Sequence, residues 1–254
     1  MQTRIAQQLR EIEQRENCHI LLAVESGSRA WGFASPDSDY DVRFVYVRSK
    51  EYYLQLNRTR DVIELPIDDT LDVNGWDLDK ALKLLHKSNP TLFEWFSSPV
   101  VYRSTPFAEQ LKPVMQRYFS PKSGLWHYLQ TANGNYRSYL KGEMVKAKKY
   151  FYVLRPILAC RWILEHGTPP PMRFIELAQA ELPEYLSDTV ARLLELKMHA
   201  PEVKLIPKID LLNTYFDRSM DEIQQHIEQY PKQPARSWEE LNEVFLSALT
   251  ASIE

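Results

Sequence analysis

Glycine is scarce in this chain, with seven residues in 254. Few positions therefore offer the backbone left-handed conformations or let another group approach it closely. Cysteine is scarcer still. Cys18 and Cys160 stand far apart and match no metal-ligand or redox spacing, which leaves two reduced thiols, in the core or on the surface. There is no excess of positive charge: 31 Lys and Arg oppose 34 Asp and Glu, for a net charge of −3. Non-specific nucleic-acid binding through bulk charge is thereby excluded, although a local basic groove is not. No run approaches the roughly 18 consecutive apolar residues of a membrane span. The amino terminus, MQTRIAQQLREIEQREN, is charged and amphipathic and carries no apolar signal core. A cytoplasmic protein without a membrane partner is expected. The six histidines (His19, His86, His127, His166, His199 and His226) show no ligand spacing such as His-x-x-x-His. They read as surface or satisfied core residues. Internal repeats, low-complexity segments and a serine–histidine–acid trio are all missing from the pattern.

What is present is ordinary in bulk, with 44% apolar and 26% charged residues, and long enough for one large domain or two modest ones. Ile5, Leu9 and Ile12 recur at helical spacing and predict a first helix over 3–16. The apolar run His19–Glu25 predicts a buried strand, followed by a glycine turn, a short helical turn at Ala30–Phe33 and a second strand, Tyr40–Val47. Further strands are expected at Arg58–Ile67, Leu71–Asn74 and Val100–Tyr102, with Asp68-Asp69 as a turn. Helices are expected at Trp76–Lys87 and Thr91–Phe96, separated by Asn89-Pro90. From Pro106 onward the periodicity is helical: 107–119, 123–140, 145–165, 173–180, 184–199, 212–230 and 238–252. The fold class is thus α/β (α+β), a small mixed-sheet core over 1–105 followed by a helical domain over 106–254.

Two of the rare glycines, Gly27 and Gly32, sit in Gly27-Ser28-Arg29-Ala30-Trp31-Gly32, between the first two strands. A glycine there lets a phosphate approach the backbone, and amide groups with the Ser28 hydroxyl can donate to its oxygens. Asp39 and Asp41 follow, two apart at the start of a strand, so both side chains leave one face. Like charges so close call for a cation between them. Mg²⁺ suits carboxylate and phosphate oxygens, with Mn²⁺ the alternative, and two such ions can activate a hydroxyl and stabilise a leaving pyrophosphate. A third carboxylate would complete the set. Asp72 alternates with apolar neighbours and can project onto the same face; Asp77, the competitor, precedes a helix and can serve its N-terminus instead. Glu64 ranks behind both.

These residues resemble a known superfamily. Gly27-Ser28, Asp39-x-Asp41 and a later strand aspartate form the signature of the DNA polymerase β-like nucleotidyltransferases. The fuller stretch Gly-Ser-Arg-Ala-Trp-Gly-Phe-Ala-Ser-x-x-Ser-Asp-Tyr-Asp-Val-Arg resembles its RNA-repair-pathway polymerase β family. The likeness continues through Gly75-Trp76-Asp77-Leu78, Ser88-Asn89-Pro90, Glu94-Trp95, Ser98–Tyr102 and Lys148–Pro156. The resemblance implies an NTP-dependent transferase with a palm-like core. Asp39 and Asp41 become metal ligands, Asp72 the third carboxylate, and Gly27 and Ser28 the phosphate turn. An RNA 3′ end is the acceptor that the family suggests.

In the helical half, Lys148, Tyr152 and Arg155 fall at i, i+4 and i+7 on one helix face. That face can bind a nucleotide, with an aromatic ring stacking on the base, or it is a solvated basic stripe over packed tyrosines. Lys149 is expected to point elsewhere. Two other functions share parts of the pattern. A glycosyltransferase also uses Asp-x-Asp with a metal, but Asp39-Tyr40-Asp41 follows closely on a Gly-Ser turn and no dinucleotide-type array precedes it. A catalytically silent nucleotide- or RNA-binding module would keep the turn, yet paired acids without a metal cost stability.

Overall fold

The computed structural model describes residues 1–57, 60–66, 68, 70–199, 204–231 and 236–251. The chain begins with helix α1 (Gln2–Glu16), strand β1 (Cys18–Glu25), the short helix α2 (Gly27–Trp31) and strand β2 (Tyr40–Arg48). Then come α3 (Lys50–Tyr53), β3 (Val62–Glu64), β4 (Leu71–Asp77), α4 (Leu78–His86), α5 (Pro90–Phe96), β5 (Val101–Ser104) and α6 (Pro106–Arg117). The remainder is mostly helical: α7 (Pro121–Tyr139), α8 (Lys148–His166), α9 (Phe174–Glu181), α10 (Ser187–His199), α11 (Asp210–Gln229) and α12 (Glu239–Ala251). A strand pair, β6 (Met144–Lys146) with β7 (Leu205–Pro207), and a 3₁₀ turn at Glu184–Leu186 interrupt it.

The chain folds as two compact units. The first holds Met1–Gly27, Asp39–Tyr118 and the described part of Pro234–Glu254; the second holds Ser28–Ser38 and the described part of Phe119–Gln233. In the first unit, five strands form a mixed sheet in the order β3-β4-β2-β1-β5. Only β2 and β4 are parallel; the other neighbours run antiparallel. Alternation along β2 decides its faces. Val42, Phe44 and Tyr46 join Ile5, Leu9 and Ile12 of α1 in one buried cluster with Ile20, Leu71 and Val73. Asp41 and Arg43 therefore leave the opposite face. The mixed α/β class read from the sequence is the observed one, since strands and helices alternate through this unit and helices dominate the rest.

Several boundaries differ from the expected ones, among them the short helix, which spans Gly27–Trp31 rather than Ala30–Phe33; three others differ for identifiable reasons. Strand β4 runs on through Asp77 because Gly75 and Trp76 keep pairing with Phe44 and Val45 of β2. The helix then begins only at Leu78, with Asp77 as its N-cap. The expected third strand shrinks to Val62–Glu64; Arg58, Ile67 and Asp69 lie outside the described residues, as does Ser252. Residues 145 and 146, expected to open a helix, are extended instead because 144–146 pairs with 205–207.

In the second unit α8 is buried almost all round, from Tyr150 and Phe151 to Ile163, and it packs against α7, α9 and α11. Phe33, in the Ser28–Ser38 excursion, sits between Phe151 and Phe174 with ring centroids 5.0 and 5.5 Å away. The Ser28–Ser38 segment is thus anchored within the second unit by aromatics on α8 and α9.

Candidate active site

In the first unit the parallel register sets Asp41 directly beside Asp72. Residues opposite one another on parallel strands point to the same side, so two carboxylates converge there. Each is 30% exposed. Arg43, two residues along β2 on the same face, donates to both, at 3.0 Å to Asp41 Oδ1 and 2.7 Å to Asp72 Oδ2. Its other terminal nitrogen reaches the Asp72 carbonyl at 3.1 Å. The repulsion that two adjacent acids would suffer is offset by this guanidinium. Asp39 stands one residue before β2 and is exposed.

Gly27 closes the site from behind. Its φ is +61°, and a Cβ built on it would lie 2.3 Å from Asp41 Oδ2. Both facts demand glycine. Gly32, at φ +87°, has the same backbone requirement. Gly27→Ala is expected to lower stability by about 1–2 kcal/mol through the left-handed backbone alone. It also displaces the Asp41 carboxyl, and an ångström of misplacement costs roughly 10²-fold in rate. Thermal denaturation and a transfer assay check the two effects separately.

Beneath the site lies Glu25, the last residue of β1, fully buried. One carboxylate oxygen accepts the Asp41 backbone N–H at 2.7 Å, and the other accepts the Tyr102 hydroxyl. Ser98 Oγ donates to the Glu25 carbonyl at 2.6 Å. Glu25 and Arg43 were both missed as site residues. The available signals were an acid closing an apolar strand run, and an arginine two residues beyond Asp41 on the same strand.

Asp77 has a different setting. Strand alternation puts it on the face of β4 opposite Asp72, and it is 2% exposed. Its Oδ1 accepts from the Asp79 N–H at 2.9 Å and from the Tyr53 hydroxyl at 3.0 Å, while Oδ2 is buried without a partner among the described residues. Burial pushes its carboxyl up to about 6, against the pull of those donors. The native state therefore binds the proton more tightly than the unfolded chain does. Stability is expected to be greatest below about pH 4 for this group and to fall as pH rises to about 6, by about 3 kcal/mol in total. Asp77→Asn is expected to remove that slope from a pH series of melting temperatures. Glu64 is also engaged elsewhere, with Arg60 at 2.6 Å and the Asn74 side chain at 3.0 Å.

In the second unit, Ser28 Oγ donates to Ser38 Oγ at 3.2 Å, and Arg29 reaches the Ser38 carbonyl at 2.6 Å. Lys197 of α10, 3% exposed, donates to Ser35 Oγ at 2.9 Å and Ser38 Oγ at 3.3 Å. This lysine was also missed, although it occupies the apolar stripe of α10 at i+7 from Val190. Lys148 and Tyr152 are half-buried on α8, while Arg155 is 3% exposed. Arg155 lies over the Trp31 ring at 4.7 Å and donates to the Met172 carbonyl at 3.3 Å; Tyr152 meets Trp31 edge-on at 5.8 Å. Lys149, expected to point away, lies 4.4 Å from the centre of the Tyr152 ring and 3.7 Å from that of Tyr139.

Residues 1–247 match the family model described as the RNA repair pathway DNA polymerase beta family. The chain belongs to that family. It is 45% identical over 251 residues, 98% of its own length and 96% of the relative's, to the uncharacterized protein YcgL of Bacillus subtilis (strain 168). It also resembles a nucleotidyltransferase-like protein from Exiguobacterium sibiricum 255-15 at 13% identity, with 89% of this chain and 75% of that one covered. The TM-score there is 0.32, too low to carry an argument. Among the described residues no helix is long and apolar enough to cross a membrane.

Proposed function

We propose that this protein is a metal-dependent nucleotidyltransferase that moves a nucleoside monophosphate from an NTP to a hydroxyl acceptor and releases pyrophosphate. The observation that carries the reading is the pairing of Asp41 with Asp72 on adjacent strands, with Gly27 against Asp41, in a chain of this family. The donor set is all carboxylate oxygen and fits a hard divalent ion. Asp39, Asp41 and Asp72 would hold Mg²⁺, two ions in all or Mn²⁺ in their place, and the bound metal would supply charge neutralisation at the phosphates and acidify the attacking hydroxyl.

The protein's own groups do the rest. Gly27 and Ser28 present the turn to the triphosphate. Asp72 takes the proton as the acceptor oxygen bonds to the α-phosphorus and the bond to the β-phosphate oxygen breaks. Arg43 keeps the two strand carboxylates at a fixed separation. Lys148 and Tyr152 contribute to nucleotide binding, and Arg155 contributes through Trp31, which it holds in place. On this reading 1–105 is the nucleotidyltransferase core and 106–254 the helical nucleotide- and substrate-binding part, working in the cytoplasm. An RNA 3′ end is the favoured acceptor; a protein hydroxyl and a small molecule are the alternatives.

The test is pyrophosphate release from each NTP with Mg²⁺ and, in turn, RNA, protein and small-molecule hydroxyl acceptors. Release with an acceptor that disappears in Asp39→Ala supports the proposal. UDP-sugar binding without NTP binding would favour the glycosyltransferase reading. Stabilisation by Mg²⁺-NTP without any release would favour the silent binding module.

A further inference from the structure

The second unit holds a separate group of ligand-type side chains. Glu165 and His166 end α8, and Glu181 ends α9. One ligand atom from each lies within 4.8 Å of the others. Glu165 and His166 are exposed, but the Glu181 side chain is only 7% exposed. Its Oε1 is buried and makes no hydrogen bond among the described residues. His166 Nε2 stands 3.6 Å from that oxygen, beyond hydrogen-bond length.

A buried carboxylate oxygen without a donor is costly unless a cation answers it. Burial raises the Glu181 carboxyl, and the neighbouring Glu165 charge raises it further, against the pull of His166 and Arg161. The 3.6 Å separation is close to the edge of a tetrahedron whose ligands sit about 2.0–2.2 Å from a central ion, roughly 3.4 Å. The carbonyl end of α8 adds negative potential at the same place. The ring is also held ready. Trp162 lies against His166 with centroids 4.1 Å apart, and its Nε1 donates to Thr168 Oγ1 at 3.1 Å. Gly167, in the left-handed region at φ +66°, caps the helix through an N–H bond to the Ile163 carbonyl at 3.0 Å.

We propose that Glu165, His166 and Glu181 form a second divalent-metal site, apart from the Asp41–Asp72 pair, selective for an ion of the zinc class. One imidazole nitrogen with two carboxylate oxygens is a borderline donor set; it favours zinc over magnesium or calcium, which prefer all-oxygen shells. Three protein ligands leave the fourth position to water. The ion would tie the end of α8 to the end of α9 and satisfy Glu181 Oε1. No step of nucleotidyl transfer depends on it.

The test titrates ZnCl₂, without nucleotide, into metal-stripped full-length protein by calorimetry, in parallel with melting temperature. Loss of an outer-shell partner already costs 10–100-fold in affinity, so loss of a ligand is expected to weaken one equivalent of zinc by roughly 100-fold or more. That equivalent should disappear in His166→Ala and Glu181→Ala and persist in Asp41→Asn. Wild type should gain thermal stability from zinc by mass action, and His166→Ala should lose that gain. His166 is exposed, so its variant remains decisive if Glu181→Ala fails to fold. Zinc stoichiometry and affinity unchanged in His166→Ala, or loss of all zinc binding in Asp41→Asn, would overturn the proposal.

Discussion

Asp41→Asn is expected to fold as the wild type does and to lose about 10³-fold or more of its nucleotidyl-transfer rate. The side chain is 30% exposed, and an isosteric amide there disturbs little packing. Arg43 keeps its shorter contact, 2.7 Å to Asp72, so the strand pair retains an internal counterion. What goes is one of two converging negative charges. On the proposed mechanism, several kcal/mol of transition-state stabilisation would depend on the metal those charges would hold. Asp72→Asn should behave alike, because the register makes the two residues neighbours on one face. Circular dichroism and melting temperature establish the fold, and initial rates establish the loss. A variant within tenfold of wild type would remove Asp41 from the reaction.

Glu25→Ala is expected to give the largest loss of stability of any site substitution, about 3 kcal/mol or more. Two donors, the Asp41 backbone N–H and the Tyr102 hydroxyl, depend on this fully buried carboxylate. Truncation leaves both without that acceptor, and each unsatisfied buried group costs about 1–3 kcal/mol. The melting temperature should fall by roughly 6–12 °C for a chain of this size. Transfer activity should fall as well, since the Asp41 N–H that Glu25 holds fixes the start of β2. Glu25→Gln keeps an acceptor for one donor and should recover much of the stability. Equal melting temperatures for wild type and Glu25→Ala would show that the carboxylate carries no such role.

The parts of this site legible in the sequence are those governed by short-range periodicity. Alternation along Leu71–Asn74 puts Asp72 on the polar face of its strand, and the structure places it there opposite Asp41. The rare glycine at 27 signals a left-handed residue, and its φ of +61° agrees. Asp77 shows where that logic ends. The helical pattern of Leu78, Ala81, Leu82 and Leu85 is real, but pairing with β2 extends the strand to Asp77, and pairing partners lie outside any local window. Lys197 and Arg155 were hidden for a related reason. Both are charged side chains buried by contacts with the Ser28–Ser38 excursion, Lys197 through Ser35 and Ser38 and Arg155 through Trp31. Spacing along one helix says which residues share a face, not what covers it. Arg155 shared a predicted face with Lys148 and Tyr152; Trp31 and Met172 cover it. His166 carried no motif at all, because its partner Glu181 comes from another helix.

Transfer of the α-phosphate of an NTP with departure of pyrophosphate can be read from where a label goes. The most direct measurement compares ATP and the other NTPs carrying ³²P at the α or the γ position, with Mg²⁺ and an RNA bearing a free 3′ hydroxyl alongside protein and small-molecule acceptors. An acceptor is expected to become labelled from the α position only, γ label to appear in pyrophosphate, and both signals to vanish in Asp41→Asn. Acceptor labelled from the γ position, or α label transferred equally well by Asp41→Asn, would contradict it.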